Sequence, residues 1–332
     1  MIYAPITLVT LNRYEHLVRC IDSLKKNADA RYTELYISVD YPPTEKYTKG
    51  YNKIVEYLKQ GLDGFKQVFV FFQKENLGAF DNIDFIKRKA YEKHDRLIFL
   101  EDDNEVAPNF LSFCNKGLDC FEGSPDVLYI NGTNYVWCGK GFEPKKKGIN
   151  DKDSKVHKRQ VLWHGYATWK YVDDTMKKIC VDEYLDYGKD YRKMKKLYDK
   201  SKFFFYAYIR DVLLSRKKRL PWVKGAIYPI DSVINVYLLI NDKFVVAPQE
   251  NLIKDWGMDG SGLNFKKVAF NCHLIVGTKL SSDEVFDFPS KDEIDIDDTE
   301  LEKHDKFGLP AAYKRGAFIV GLLLYKLNII RS

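Results

Sequence analysis

The sequence predicts an α/β fold with a mostly parallel sheet flanked by helices. In the first hundred residues, short runs rich in β-branched and aromatic residues alternate with segments whose apolar residues recur at helical spacing. This alternation is typical of right-handed βαβ units, whose strands lie parallel in one sheet. With 332 residues, 45% of them hydrophobic and 15% aromatic, the chain can also bury the large core that such a fold needs.

The first strand and the first helix show the two periodicities most clearly. Residues 5–10 form a short β-rich run, and the segment 15–26 carries Leu17, Ile21 and Leu24 at helical spacing. The alternation continues with strands expected at 34–40, 67–73 and 96–100 and helices at 51–60 and 79–94. Four strands with three connecting helices are therefore predicted in this part of the chain.

The pattern is less regular beyond residue 110. We expect a helix at 110–121, a strand at 127–130, mainly helices at 170–219 and a long apolar run at 233–240. A strongly acidic segment at 282–306 and an apolar stretch at 317–330 follow. We therefore divide the chain into an α/β part at 1–130, a second part of the same domain at 131–275, and an acidic linker with an apolar tail at 276–332.

The predicted strands end in polar segments. These are T-L-N-R at 10–13, D-Y-P-P at 40–43, K-E-N-L-G at 74–78 and E-D-D at 101–103. Ligands of open α/β sheets bind beyond the carboxyl ends of the strands, so we expect the four segments to converge on one edge. Neither G-x-G-x-x-G nor G-x-x-x-x-G-K occurs in these turns, which argues against a dinucleotide cofactor or a P-loop.

The charge of the chain is small overall but segregated. A net charge of +6 is too low, for this length, to indicate a dedicated nucleic-acid-binding protein. Basic residues cluster at 140–159, 189–202 and 216–219. These clusters are either solvated surface or a face for anionic lipid head groups or a diphosphate-linked acceptor.

Cysteine usage and the N-terminal residues indicate a reducing compartment. The six cysteines form no C-x-x-C pair, so free thiols are expected rather than a zinc site. No secretory signal is recognisable after Met1, and we expect the protein in the cytoplasm or at the inner face of the membrane. The stretch 317–330 is shorter than the roughly 20 residues of a membrane span, so it either docks on the protein's own core or lies in a membrane interface.

Glu101, Asp102 and Asp103 are consecutive carboxylates at the end of an apolar strand. Like charges at this spacing repel, and a divalent cation such as Mg²⁺ or Mn²⁺ would remove the repulsion. Asp103, the last of the three, is the residue that we expect to bind the metal. Taken alone, the run could also be a polar strand end or a helix N-cap before Pro108.

The segment L-E-D-D-N-E-V-A-P-N-F at 100–110 resembles the family 2 glycosyltransferases of the GT-A fold, and is similar to the corresponding segment of N-acetylglucosaminyltransferase I. The resemblance extends roughly over residues 4–275. It implies a GT-A type, Rossmann-like sheet, a helical acceptor-side region at 131–275 and a C-terminal extension. It also implies that residues 1–130 bind a nucleotide sugar.

The resemblance further implies roles for the strand ends. The donor would lie among Thr10, Arg13, Asp40, Asn76, Glu101 and Asp102. Of these, Arg13 and Asp40 would hold the base, while Asp102 and Glu101 would contact the ribose and the sugar. Asp103 would bind the metal, Mn²⁺ or Mg²⁺.

An inverting transfer also needs a base that takes the proton of the attacking hydroxyl. Asp231 resembles the base of inverting relatives in its position, although it could instead cap the helix that follows. Asp259, in a glycine-rich turn, is the second candidate. Relatives often carry a histidine after this turn, and here the matching residue is Asn264; His273, further along the chain, is an alternative metal ligand.

The segment W-H-G-Y-A-T-W at 163–169 resembles the family's acceptor-side motif. Its acceptor-binding candidates are Trp163, His164, Tyr166 and Trp169, because aromatic faces suit the apolar faces of sugars. Without the resemblance, tryptophan at this spacing is more often a core residue.

The function implied by the resemblance is a hexosyl- or N-acetylhexosaminyltransferase, inverting, in bacterial cell-surface polysaccharide or lipid-linked glycan biosynthesis. Its partners would be a nucleotide-sugar donor, a glycan or lipid-linked glycan acceptor, and a membrane surface contacted by the C-terminal tail. The alternative is a catalytically silent homologue that binds the nucleotide sugar. The third hypothesis, a nucleic-acid-binding protein, is disfavoured by the absence of a recognisable binding module.

Overall fold

The computed structural model describes residues 2–133, 156–158, 165–179, 187–209, 230–248 and 251–259, together with residues 183, 261, 288, 296 and 323. The basic cluster at 189–202 lies within them. The cluster at 216–219 and most of the segments 140–159, 282–306 and 317–330 lie outside the described residues.

Ten strands lie in the described part of the chain. They are β1 (Ile6–Thr10), β2 (Glu34–Val39), β3 (Gln67–Phe72), β4 (Arg96–Glu101), β5 (Asn104–Val106), β6 (Val127–Asn131), β7 (Val156–Lys158), β8 (Tyr166–Trp169), β9 (Phe244–Ala247) and β10 (Ile253–Asp255). Eight of them form one sheet in the order β3-β2-β1-β4-β8-β6-β9-β7, and β5 pairs separately with β10. All four strands expected in the first hundred residues are confirmed.

The strands β3, β2, β1 and β4 form a parallel block. The chain moves outward from β1 through β2 to β3 and then returns past β1 to β4. Because crossovers between parallel strands are right-handed, connections that run in opposite directions lie on opposite faces of the sheet. The junction of β1 and β4 is therefore the switch point of the sheet, which is where open α/β sheets bind ligands.

Eight α-helices surround the sheet in the described residues. They are α1 (Tyr14–Lys25), α2 (Thr48–Lys59), α3 (Ala79–Tyr91), α4 (Phe110–Cys120), α5 (Lys170–Lys178), α6 (Tyr191–Lys200), α7 (Lys202–Tyr208) and α8 (Ile230–Asn241). The first four agree with the sequence-based expectations to within three residues at each end. α3 packs against β1 and β2, and α4 packs against β6 and β8. The α/β fold class is confirmed.

The core lies in the parallel block and under its helices. Ile6, Leu8, Ile37 and Leu100 are fully buried, and each such side chain stabilises the fold by about 1.5–3 kcal/mol. α1 is amphipathic and turns its buried face, including Leu17, toward this core. None of the helices described is long and apolar enough to cross a membrane.

Candidate active site at the ends of strands β1 and β4

Thr10 and Asp102 join the ends of β1 and β4. Oγ1 of Thr10 donates a hydrogen bond to Oδ2 of Asp102 at 2.7 Å, and both side chains are buried. The backbone N–H of Asp40, which follows β2, donates to the carbonyl oxygen of Thr10 at 2.9 Å. Asn76, after β3, donates from Nδ2 to Oδ2 of Asp40 at 3.1 Å. The four polar strand ends thus converge on one edge, as expected from the sequence.

Arg13 bridges the two aspartates of the turn between β4 and β5. Its Nη1 donates to Oδ2 of Asp103 at 2.6 Å, and its Nη2 donates to Oδ1 of Asp102. The aspartate side chains are only 3% and 8% exposed, and that of Arg13 is 19% exposed. Burial alone lowers the pKa of Arg13, but the charges of Asp102 and Asp103 outweigh it and hold the pKa above its ordinary value. The guanidinium is therefore a permanent cation in this site.

Asn104 fixes the shape of the acidic turn. Its Oδ1 accepts a hydrogen bond from the backbone N–H of Glu101 at 3.0 Å, and its Nδ2 donates to Oδ1 of Asp103 at 3.1 Å. Asparagine favours turns because its amide can bond to nearby backbone in this way. This role was not predicted from the sequence, where its signal is an asparagine directly after the three carboxylates.

The β5–β10 pair brings a second segment against the acidic turn. The backbone N–H of Trp256 donates to the carbonyl oxygen of Asp103 at 2.9 Å. A Cβ atom added to Gly257 would lie 2.3 Å from Oδ2 of Asp103, so a larger residue would force the turn or the carboxylate to move. Gly257 was not among the predicted site residues.

Two cations lie close to the ring of Trp256. Cζ of Arg19 and Nζ of Lys254 lie 4.1 and 4.0 Å from its ring centre, and its Nε1–H donates to Oε2 of Glu105 at 2.7 Å. Cation–π contacts of this kind are worth about 0.5–1 kcal/mol when exposed and more when desolvated.

Asp259 lies near the acidic pair but has partners of its own. Its Oδ2 is 3.2 Å from Nε2 of His16, and its Oδ1 accepts a hydrogen bond from the backbone N–H of Ser261 at 2.8 Å. Burial would raise the pKa of Asp259, but hydrogen bonds from Ser261 and the charges of His16 and Arg13 lower it overall. A carboxylate with a lowered pKa is a weaker proton acceptor.

Asp40 organises the loop that joins β3 to α3. Its Oδ1 accepts from the backbone N–H groups of Tyr41 and Leu77 at 2.9 and 2.8 Å, and its Oδ2 accepts from Gly78 N–H at 3.0 Å and from Asn76 Nδ2. The carboxylate thus accepts four hydrogen bonds from the protein. Burial nevertheless raises the pKa of Asp40 against the effect of these bonds.

Tyr166 and Trp169 lie in the sheet. Both are nearly fully buried on β8, and Oη of Tyr166 accepts a hydrogen bond from Nζ of Lys87 at 2.9 Å. Lys87 also bonds both carboxylate oxygens of Asp173, at 3.1 and 2.9 Å. Burial raises the pKa of Tyr166 to about 12. In the described structure, Tyr166 and Trp169 therefore pack in the interior, which is the core alternative considered for this motif.

The other predicted site residues divide into two groups. Asp231 lies in the first turn of α8, which begins at Ile230, so its backbone is inside the helix rather than at the cap. Trp163, His164, Asn264 and His273 lie outside the described residues.

The acidic pair has the chemistry to bind a divalent cation. Carboxylate oxygens are the ligands that Mg²⁺ and Mn²⁺ prefer. The pair already holds one cation, the guanidinium of Arg13. Within the described ranges, no group of three or more His, Cys, Asp or Glu side chains is placed to hold a metal. Asp102 and Asp103 would therefore supply one or two ligands, which is usual where substrate phosphates supply others.

Comparisons with known proteins give one family match. Residues 6–167, just under half of the chain, match the family model described as glycosyl transferase family 2. No curated protein matches the chain.

Two solved structures show distant likeness. S. aureus TarS is 12% identical, with 53% of this chain and 30% of that chain covered and a TM-score of 0.35. The mannosyltransferase PcManGT from Pyrobaculum calidifontis, in complex with GDP-Man and Mn²⁺, is 11% identical, with 72% and 69% covered and a TM-score of 0.38. The chain therefore spans less than a third of the TarS chain. The family match and the observed α/β sheet support a family 2-like glycosyltransferase fold over residues 6–167.

Proposed function

We propose that the chain transfers a hexosyl or N-acetylhexosaminyl group from a nucleoside-diphosphate sugar to an acceptor hydroxyl, with inversion at the anomeric carbon. The observation that carries the proposal is the meeting of Thr10, Arg13, Asp102 and Asp103 at the switch point of the sheet. This is the edge at which an open α/β sheet binds its ligand. All four residues lie within the segment that matches the family model.

The strand ends would divide the work of donor binding. Asp103 would hold Mn²⁺ or Mg²⁺, with His273 as an additional ligand, and the metal would neutralise charge that grows on the leaving diphosphate. Asp102 and Glu101 would contact the ribose and the sugar.

The nucleotide would lie against Thr10, Arg13, Asp40 and Asn76. Because the Asp40 carboxylate accepts four hydrogen bonds from the protein, its contribution would be to hold the loop at 76–78 in place.

Asp231 is the proposed base. It would accept the proton of the acceptor hydroxyl as the glycosidic bond forms. Asp259 is the second choice, because its lowered pKa makes it the weaker proton acceptor. The acceptor would approach the motif that contains Trp163 and His164, with Tyr166 and Trp169 supporting it from the sheet.

The proposed setting is bacterial cell-surface polysaccharide or lipid-linked glycan synthesis at the inner face of the membrane.

A second candidate function is that of a catalytically silent protein that binds the nucleotide sugar. The pairing of Arg13 with both aspartates favours this candidate, because it satisfies the acidic pair without a metal.

A donor screen followed by a transfer assay tests the proposal. Thermal shift with UDP-, GDP- and CMP-linked sugars, with and without Mn²⁺, would identify the donor. We expect Asp103→Asn to abolish the Mn²⁺-dependent part of the shift, while Asp84→Asn, a change on the exposed side of α3, leaves it intact.

Acceptor-dependent release of the nucleoside diphosphate would then support the enzyme. Donor binding without release, even with Mn²⁺, would support the silent homologue instead. Absence of any donor-induced shift would reject both.

A further inference from the structure

Arg13 supplies the acidic pair with the positive charge that a metal ion would otherwise supply. It immediately precedes α1, and its guanidinium contacts Oδ2 of Asp103 and Oδ1 of Asp102. The other carboxylate oxygens are also engaged, Oδ2 of Asp102 by Thr10 and Oδ1 of Asp103 by Asn104. Each of the four carboxylate oxygens thus has a protein donor in this state.

A second cation at these carboxylates would compete with the cation that already pairs with them. A metal ligated by Asp103 would bind an oxygen that already accepts a hydrogen bond from Arg13 or Asn104. It would also lie close to the guanidinium, and like charges at short range in a buried site repel strongly. Metal and guanidinium are therefore alternatives at this carboxylate rather than companions.

We propose that the guanidinium of Arg13 competes with the divalent metal for the carboxylates of Asp102 and Asp103. The metal binds tightly only after the Arg13 side chain has moved away from them. The inference deepens the proposed function and rests on it, because the donor's diphosphate supplies a new partner for the displaced side chain. The planar fork of arginine matches phosphate oxygens as well as it matches carboxylates. The metal and the diphosphate would therefore enter the site together, and the metal alone would bind weakly.

The experiment measures Mn²⁺ affinity in the absence of nucleotide, by electron paramagnetic resonance or calorimetry. The proteins are the full chain, Arg13→Gln, Arg13→Lys and Arg19→Gln. The last is a matched control, because it removes one positive charge from α1 at a residue that lies over the ring of Trp256 and is not one of the donors to the acidic pair. We expect Arg13→Gln to bind Mn²⁺ about tenfold or more tightly than the wild type, and Arg19→Gln to stay within about threefold of it.

Arg13→Lys keeps the charge but cannot bridge both carboxylates. Its Mn²⁺ affinity should lie between those of the wild type and Arg13→Gln. If Arg13→Gln does not fold, this variant alone must still bind Mn²⁺ more tightly than the wild type.

Equal or weaker Mn²⁺ binding by the Arg13 variants would overturn the inference, as would an equal gain in Arg19→Gln. The readout is independent of sugar transfer. A tighter Arg13→Gln site in a protein that transfers no sugar would leave the inference standing and reject only the proposed activity.

Discussion

Oγ1 of Thr10 lies 2.7 Å from Oδ2 of Asp102, and this single hydrogen bond connects the end of β1 to the acidic turn after β4. Both side chains are buried, so the bond is made away from competing water. It joins side chains at the ends of the two strands whose junction forms the switch point. The stability of the site should therefore depend on it.

Thr10→Val should destabilise the protein by about 1.5–3 kcal/mol, because it removes a hydrogen bond to a buried charged acceptor. Thr7→Val is the matched control on the same strand, since Oγ1 of Thr7 donates to the neutral carbonyl oxygen of Ile98 at 3.2 Å. Urea unfolding should show the larger loss for Thr10→Val. Equal losses would mean that the charge on Asp102 adds nothing to the bond.

Gly257→Ala should damage the site while leaving the fold intact. The added Cβ would lie 2.3 Å from Oδ2 of Asp103, so either the turn or the carboxylate must move. We expect Mn²⁺-dependent donor binding, measured by thermal shift, to fall about tenfold or more, with a stability loss of about 1–3 kcal/mol.

The background variant Asp103→Ala provides the control for Gly257→Ala. In this background the carboxylate that the added Cβ would meet at 2.3 Å is absent. Gly257→Ala should therefore lower the stability of Asp103→Ala only a little. A full loss in that background would place the crowding elsewhere in the turn.

Asp40→Asn tests whether this carboxylate holds the loop at 76–78. An amide nitrogen cannot accept a hydrogen bond, so at least one of the backbone N–H donors of Tyr41, Leu77 and Gly78 would lose its partner. We expect a loss of about 1–3 kcal/mol in the free energy of unfolding and faster hydrogen exchange at Leu77 and Gly78. Unchanged exchange at both amides would contradict the role.

Glu34 should make the stability of the sheet depend on pH. Burial would raise its pKa, but hydrogen bonds from His94, Tyr36 and Lys66 lower it overall. A carboxylate whose pKa is lower in the folded state stabilises the protein above its unfolded pKa of about 4.3, and this contribution is lost as the pH falls through the folded value.

Glu34→Gln should therefore be less stable than the wild type by about 1–2 kcal/mol at pH 7, and the difference should shrink as the pH falls below about 4. Chemical unfolding at a series of pH values measures it. Glu56→Gln, an exposed change on α2, should show a flat and small difference across the same range. A stability difference between Glu34→Gln and the wild type that grows as the pH falls would contradict this prediction.

The sequence predicts this fold best where periodicity is long enough to read. The strands of the parallel block and helices α1 to α4 each span five residues or more, and all were expected. β5 and β10 have only three residues each, too few for a pattern. β8 has four residues that are all buried, so it lacks the alternation that marks a strand with one exposed face.

The site was predictable in its place but not in its contacts. The rule for strand ends brings Thr10, Asp40 and the acidic run to one edge, and the structure agrees. The pairing of Arg13 with Asp102 and Asp103, 89 and 90 positions away, was not predictable, because it depends on how the start of α1 faces the turn after β4. The position of Gly257 depends on the β5–β10 pair, which the sequence did not reveal.

The last prediction concerns which residue, Asp231 or Asp259, is the catalytic base. Replacing each of them by asparagine distinguishes the two. Asp259 has a lowered pKa and is bonded to Ser261 and close to His16, so its carboxylate holds its proton weakly and is already engaged. Asp231, in the first turn of α8, is the alternative. We expect Asp231→Asn to keep near-normal donor affinity while turnover falls about 10²–10⁴-fold, the range that general-base catalysis contributes.

Asp259→Asn should retain most of the turnover. This variant should instead lower the stability of the turn that faces His16. Rates of nucleoside-diphosphate release at saturating donor and acceptor measure both variants, with unfolding curves run in parallel. If Asp259→Asn is the variant that loses turnover, the base lies beside the acidic pair, and α8 then has only a packing role. If neither variant loses turnover, one explanation is that the base lies outside the described residues. The other is that the transfer retains the anomeric configuration, because a retaining mechanism needs no such base in this position.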